Sequence, residues 1–456
     1  MLKREHHLHA QAAFLPEGWR KNVRLIIVDG CVSAVEEGVT PRPADERHGA
    51  IIPGVANLHS HAFQRGMAGL AESRGASTDS FWTWRETMYR FVDQVGPEEL
   101  KAIAALAYCE MLESGFTRVG EFHYLHHDLD GTPFSDRAEM GAAIVAAAAE
   151  TGIGLTLLPV FYAHAGFGGT PLSEGQRRFG NDAAGFARLL EATRRVSDVL
   201  PDAIVGVAPH SLRAVTREEL NAILPLAGLG PIHIHIAEQM REVKDCQSCL
   251  GGRPVEWLLD HMPVDARWCL VHATHMTEVE TANLAKSGAV AGLCPITEAN
   301  LGDGLFPAAT YLAAGGQIGV GSDSNVLIDL SEELRLLEYG QRLASQGRNV
   351  LAGSEARSTG EQIYRHAIKG GGLALGTAGM GIIVGKAADL ASLDLEHPSF
   401  CGRGSEQLLD SWIFAAGSRG IDCVWRRGTK VVHKGRHIDR EDIVVRYRRV
   451  VTKLLS

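Results

Sequence analysis

The chain has 456 residues, 45 % of them hydrophobic, which suffices for one large domain with a smaller one beside it. Its formal net charge of −9, from 45 basic and 54 acidic residues, argues against nucleic acid or an anionic membrane as the main partner. No stretch reads as a membrane span, because the glycine-rich run 370–385 is too broken to be one.

The start, Met1 to His7, lacks the apolar centre of a signal peptide. Eight scattered cysteines read as reduced thiols, so a cytoplasmic location is expected. His6, His7 and His9 are read as part of an exposed N-terminal strand without function. Val23–Val35 reads as two strands joined through Asp29-Gly30. From Val55 onward, short β-rich runs alternate with helical patterns, which points to βαβ units and a parallel sheet. The strands are expected to end near His59, Phe122, Phe161, His210, Glu238, His275, Thr297 and Ser324. Eight such runs match a closed (β/α)₈ barrel. Pro97-Glu98-Glu99 opens a helix that Gly115 should cap, and Met140–Thr151 forms another that stops at Gly152. Cys246 and Cys249 form one C-x-x-C without a second pair and read as inert. Ala388–Asp394 and Cys423–Val432 read as strands and a turn. The expected fold is α/β: a (β/α)₈ TIM-like barrel over residues 53–378, with a small β-sandwich domain built from residues 1–52 and 379–456.

Barrels of this kind carry their chemistry at the C-terminal ends of the strands. His59 and His61, one residue apart on a strand, share a face. Later strand ends supply His210, then His233, His235 and Glu238, then His272 and His275, and last Asp323. One buried histidine is ordinarily a hydrogen-bonded core residue. Five strand ends bearing His or Asp point instead to a metal site, with a nitrogen–oxygen set suited to zinc or ferrous iron. A water completing the shell would leave that site open and catalytic. Other polar groups crowd the same mouth: Gln64-Arg65, Phe81-Trp82-Thr83-Trp84-Arg85-Glu86, Glu121-Phe122-His123-Tyr124 and His210-Ser211-Leu212-Arg213. Arginine pairs bidentately with carboxylate, so an anionic substrate is expected. The glycine-rich loop 165–171 reads either as a lid or pocket wall, or as a plain surface loop.

These motifs resemble the amidohydrolase superfamily of metal-dependent hydrolases. Ile51-Ile52-Pro53-Gly54 followed by His59-x-His61 is similar to its first-strand signature, and Gly385-Lys386-Ala387-Ala388-Asp389-Leu390 to its return into the small β domain. The resemblance implies His59, His61, His235 and Asp323 as ligands, and a homodimer. Two-metal members usually carry a carboxylated lysine, often on the fourth strand; Ile204–His210 has none, so one zinc ion is expected, with iron as the alternative. A bound zinc lowers the pKa of its water to about 7. Asp323 would take that water's proton, His272 would orient it, and Glu238 resembles the superfamily's proton shuttle. The segments around Gln64, Arg85, Tyr124, His210 and Arg213, with Thr297–Gly304, are similar to a branch that hydrolyses N-formimino-L-glutamate in histidine degradation. The resemblance implies that those five residues hold this small anionic substrate. A deaminase of aromatic rings or a chlorohydrolase, favoured by Trp82 and Trp84, and a non-catalytic scaffold are the rival readings.

Overall fold

A computed structural model of the chain describes residues 5–73, 81–353, 358–377 and 379–456. The chain start read above reaches into residues 1–4, and the glycine-rich run includes residue 378; both lie outside the described residues. Among the described residues, no helix is long and apolar enough to cross a membrane.

The barrel strands are Val55–Ser60, Phe116–His123, Gly154–Phe161, Ile204–Val205 with Ala208–Pro209, Ile232–Ile236, Trp268–His272, Val290–Leu293 and Gln317–Val320. The first four pair in parallel, as do the last four. Backbone bonds join the two arcs. Val207 N–H donates to the Pro231 carbonyl at 3.0 Å, and Asp323 N–H donates to that of His59 at 2.9 Å. The barrel is therefore closed. Its second and third strands are buried along their whole length, as parallel strands covered on both faces must be. Gly321 permits the last closure, since a Cβ there would lie 2.7 Å from the backbone of His59.

Proline at the first turn and acidic Glu98 and Glu99 start the helix Pro97–Glu113, which Ser114 rather than Gly115 caps. Gly115 follows at φ +101, where the chain turns into the second strand. The helix Glu139–Thr151 ends on Gly152 at φ 75. Four strands stop before their expected ends, at Ile236, His272, Leu293 and Val320. Ala237, His272, Ala273 and Asp323 have positive φ, which turns the chain out of the extended path at the fifth, sixth and eighth strands. Thr297 lies on a helix, Pro295–Leu301, that Pro295 starts.

Both termini build one eight-stranded sheet. Its order is Arg436–His437, Thr429–His433, Ile421–Arg426, Leu390–Leu393, Glu46–Pro53, Glu5–Leu15, Gly18–Val28, Cys31–Glu36. Asp29 and Gly30, at φ 49 and 83, make the tight turn. The sheet curls until Val32 N–H donates to the Lys386 carbonyl at 2.9 Å, around a core that includes Leu8, Leu25, Ile27 and Trp425. The strand Glu5–Leu15 is not exposed. It is flanked by strands on both sides, His9 is buried with its Nε2 2.9 Å from the Val39 carbonyl, and His6 and His7 are half-buried. Cys246 and Cys249 lie on the helix Met240–Leu250, and all eight cysteines are free thiols.

Candidate active site

Four side chains converge at the mouth of the barrel. Ligand atoms of His59, His61, His235 and Asp323 lie within 4.8 Å of one another, all buried. His59 Nε2 is 3.2 Å from His61 Nε2 and 3.0 Å from His235 Nε2. Asp323 Oδ1 stands 3.2 Å from His61 Nε2 and 3.5 Å from His59 Nε2. The outer nitrogens explain why the inner ones face each other. His61 Nδ1–H donates to the Phe122 carbonyl at 2.9 Å, and His235 Nδ1–H to that of His210 at 3.1 Å. Each ring therefore turns an Nε2 lone pair inward, and lone pairs cannot bond to one another. Burial holds His59 neutral, with its pKa lowered to about 3, and holds His235 well below the usual range. For Asp323 burial acts in the opposite sense, but the facing His59 and His61 rings outweigh it and keep the carboxylate ionised. Three imidazoles and one carboxylate are a fitting donor set for a divalent metal.

The frame beneath these groups is polar and closed. Asn57 Nδ2 donates to Ser322 Oγ at 2.6 Å, and Asn325 Nδ2 donates to Ser60 Oγ and to the His61 carbonyl at 3.1 and 3.0 Å. Glu121 braces the segment after His61: its Oε1 accepts from Ala62 N–H at 2.7 Å, its Oε2 from the Tyr108 hydroxyl at 3.1 Å. Burial pushes its pKa up to about 7. Positive φ at Ala237, His272, Ala273, Asp323 and Asn325 concentrates backbone strain at this mouth.

A cavity of about 540 Å³ opens above these four side chains. Of the residues expected to hold metal, substrate or a proton, His61, Gln64, Arg85, Tyr124, His210, Arg213, His235, Glu238, His272 and Asp323 line it, while His59 does not and is grouped with His61, His235 and Asp323. Gln64 Nε2 donates to the Tyr124 hydroxyl at 3.0 Å. The Arg85 guanidinium lies 4.6 Å from the centre of the Trp82 ring, and that of Arg213 lies 5.6 Å from the same ring. Burial raises Glu238, and the nearby carboxylates Asp323 and Glu242 add to the shift against His272 and Arg213.

Some strand-end residues fall elsewhere. His233 shares a face with His235 but lies one layer deeper, where its Nε2–H donates to the Ala374 carbonyl at 2.7 Å. His275 lies past the strand end and does not line the cavity. Arg65 turns away to Glu110, with Nε–Oε2 at 2.7 Å. His123 is buried beside His126, their ring centres 5.3 Å apart. No residue of 165–171 lines the cavity. Sequence reasoning missed the wall residues Met88, Tyr89, Tyr162, Phe179 and Leu301, and also Arg241, whose guanidinium lies 4.6 Å from Trp82. Tyr162 directly follows the third strand, so the strand-end rule could have found it.

Residues 50–431 match the amidohydrolase family, and residues 5–49 match the N-terminal domain of formimidoylglutamate deiminase HutF. The formimidoylglutamate deiminase of Pseudomonas aeruginosa is 49% identical over 452 residues, covering 98% of this chain and 99% of that protein. A crystal structure of an amidohydrolase from Brucella melitensis superposes with a TM-score of 0.96 at 54% identity, covering 99% of this chain and 100% of that one. A 5-methylthioadenosine/S-adenosylhomocysteine deaminase from Shouchella clausii is 27% identical over 435 residues, 90% of this chain and 88% of that protein. The chain thus belongs to the amidohydrolase family, hydrolases of C–N bonds, and within it to the formimidoylglutamate deiminases.

Proposed function

We propose that this chain hydrolyses N-formimino-L-glutamate to N-formyl-L-glutamate and ammonia, a step of histidine degradation. One observation carries the reading: a single cavity joins the His59, His61, His235 and Asp323 donor set to a buried acid, Glu238, and two arginines, Arg85 and Arg213. The whole-length relative named for this activity supports it. A dicarboxylate with a formimino tail needs both halves of such a cavity, one to hold charge and one to do chemistry.

We assign one zinc to His59, His61, His235 and Asp323; when bound, it supplies a water with a pKa of about 7. Asp323, kept ionised, would accept a proton from a water held there. His272 Nε2 lies 3.7 Å from Asp323 Oδ2 and 3.9 Å from Glu238 Oε1, between the two proton-handling carboxylates, and orients the water. Glu238, with its pKa raised by burial to about 7, is partly protonated at neutral pH. Addition of the water oxygen to the formimino carbon would open the C=N bond as Glu238 gives its proton to the terminal nitrogen. The water's two protons, the first through Asp323, would then recharge Glu238 in turn, so that a second proton makes ammonia, which leaves as the C–N bond breaks and C=O forms, while the glutamate nitrogen stays on the formyl carbon. Arg85 and Arg213 pair with the substrate carboxylates; Gln64, Tyr124 and His210 line the path between them and the metal end. Residues 53–378 form the catalytic domain in this reading, and 1–52 with 379–456 form its companion. Eight free thiols suit a cytoplasmic enzyme, and the resemblance implies a homodimer.

The test is ammonia release by the zinc-loaded protein from N-formimino-L-glutamate and from purines. Release from the first and none from the second is expected. No release from the first would end the reading.

A further inference from the structure

The segment after the seventh barrel strand carries a buried carboxylate, Glu298, that does not line the cavity. It sits on the short helix Pro295–Leu301 and reaches back to the sixth strand. Its Oε1 accepts two hydrogen bonds, from Cys294 N–H at 2.9 Å and from His272 Nδ1–H at 3.2 Å. The second bond fixes what His272 offers the site. With Nδ1–H turned outward to Glu298, Nε2 must face inward, toward Asp323 Oδ2 and Glu238 Oε1. The backbone sets where Cβ points but not the rotation of the ring about Cβ–Cγ. A ring flipped about its Cβ–Cγ bond would present carbon where Nε2 now stands. A buried carboxylate prevents the flip, because the N–H bond it accepts is charge-assisted and no water competes for it.

We infer that Glu298 is a positioning residue of the reaction, acting through His272 by holding its ring orientation and tautomer. The inference rests on the catalytic role of His272 given above. The rival account of Glu298 is purely structural, since its bond to Cys294 N–H also caps the helix start. The two accounts differ in what happens when His272 is absent.

The experiment is a double-mutant cycle on the zinc-loaded full chain, with kcat, KM, bound metal and Tm measured for Glu298→Ala, His272→Ala and the double variant. Glu298→Ala is expected to lower kcat by about 10- to 100-fold with KM and metal content near wild type. In the His272→Ala background the same change should leave kcat where His272→Ala alone put it. Glu298→Gln, whose amide oxygen can still accept both N–H groups, should restore most of the turnover. An equal fold-loss in both backgrounds, or wild-type kcat in Glu298→Ala, overturns the inference while leaving His272 catalytic. Wild-type kcat in His272→Ala overturns the role of His272 itself, and the inference with it. Should Glu298→Ala fail to fold, Glu298→Asp, one methylene shorter, takes its place in the cycle with the same outcomes.

Discussion

Buried charge gathers at both ends of the barrel, and the two gatherings are built on opposite rules. At the N-terminal end, where the barrel meets the terminal sheet, each charge finds its partner within the chain. Arg118 Nη2 donates to Asp202 Oδ2 at 2.7 Å and Nη1 to the Leu155 carbonyl at 2.8 Å. Arg426 reaches from the sheet to Asp202 and, at 2.5 Å, to Asp389. Burial would raise Asp202, but Arg426 and Arg118 outweigh it and hold the carboxyl below its usual range. At the mouth, burial wins at two carboxyls, though not at Asp323. Glu238 is raised, Asp303 is raised with it, and Gln64 Oε1, Arg213 Nε and Asp303 Oδ2 are buried without a hydrogen-bond partner. A buried polar atom left unmade carries a penalty of about 1–3 kcal/mol. Gln64 and Arg213 line the cavity, where a ligand can reach them, whereas Arg426 Nε, also without a partner, lies buried at the other end.

Substitutions at the two ends should therefore separate turnover from stability. The largest effect belongs to the donor set. His235→Ala should lose bound metal and turnover together, read by elemental analysis and ammonia release; full metal content with wild-type turnover would remove His235 from the set. Next comes Glu238→Gln, expected to keep the metal but lower kcat by about 10²- to 10⁴-fold. An unchanged kcat would strip Glu238 of its proton. Arg213→Met should raise KM by about 10- to 100-fold, the loss of a charged hydrogen bond worth roughly 1.5–3 kcal/mol, with a smaller change in kcat. Wild-type KM there would mean that the unpartnered Nε does not await substrate. The smallest effect on turnover is expected at the other end. Arg426→Met leaves Asp202 and Asp389 short of a cation and should lower stability by about 3 kcal/mol, seen as a fall in Tm, with kcat near wild type. A kcat that falls with Tm would dissolve the distinction between the ends.

The mouth was more legible in the sequence than the seam. Its residues sit in short runs at strand ends, where a two-residue period and a few loop positions bring His59, His61, His235 and Glu238 to one side. That same period cannot tell layers apart, so His233 looked equivalent to His235 although it lies deeper and bonds the Ala374 carbonyl. Nor does adjacency settle direction. Gln64 and Arg65 are neighbours on one tight turn, yet only Gln64 faces the cavity while Arg65 pairs with Glu110. Glu298 stands 26 residues from His272 with no motif between them, and Arg118, Asp202 and Arg426 are joined only by the fold. The terminal strands were legible one by one, but their order was not. That is why the strand holding His9 read as exposed when it lies between two neighbours.

The most direct test of the reserved mouth is a crystal structure of the zinc-loaded protein with a non-hydrolysable formimino dicarboxylate mimic. The expected complex has the mimic's carboxylates on Arg85 and Arg213, and its formimino carbon beside Glu238. A mimic stacked on Trp82 with both guanidiniums free of its carboxylates would contradict the account.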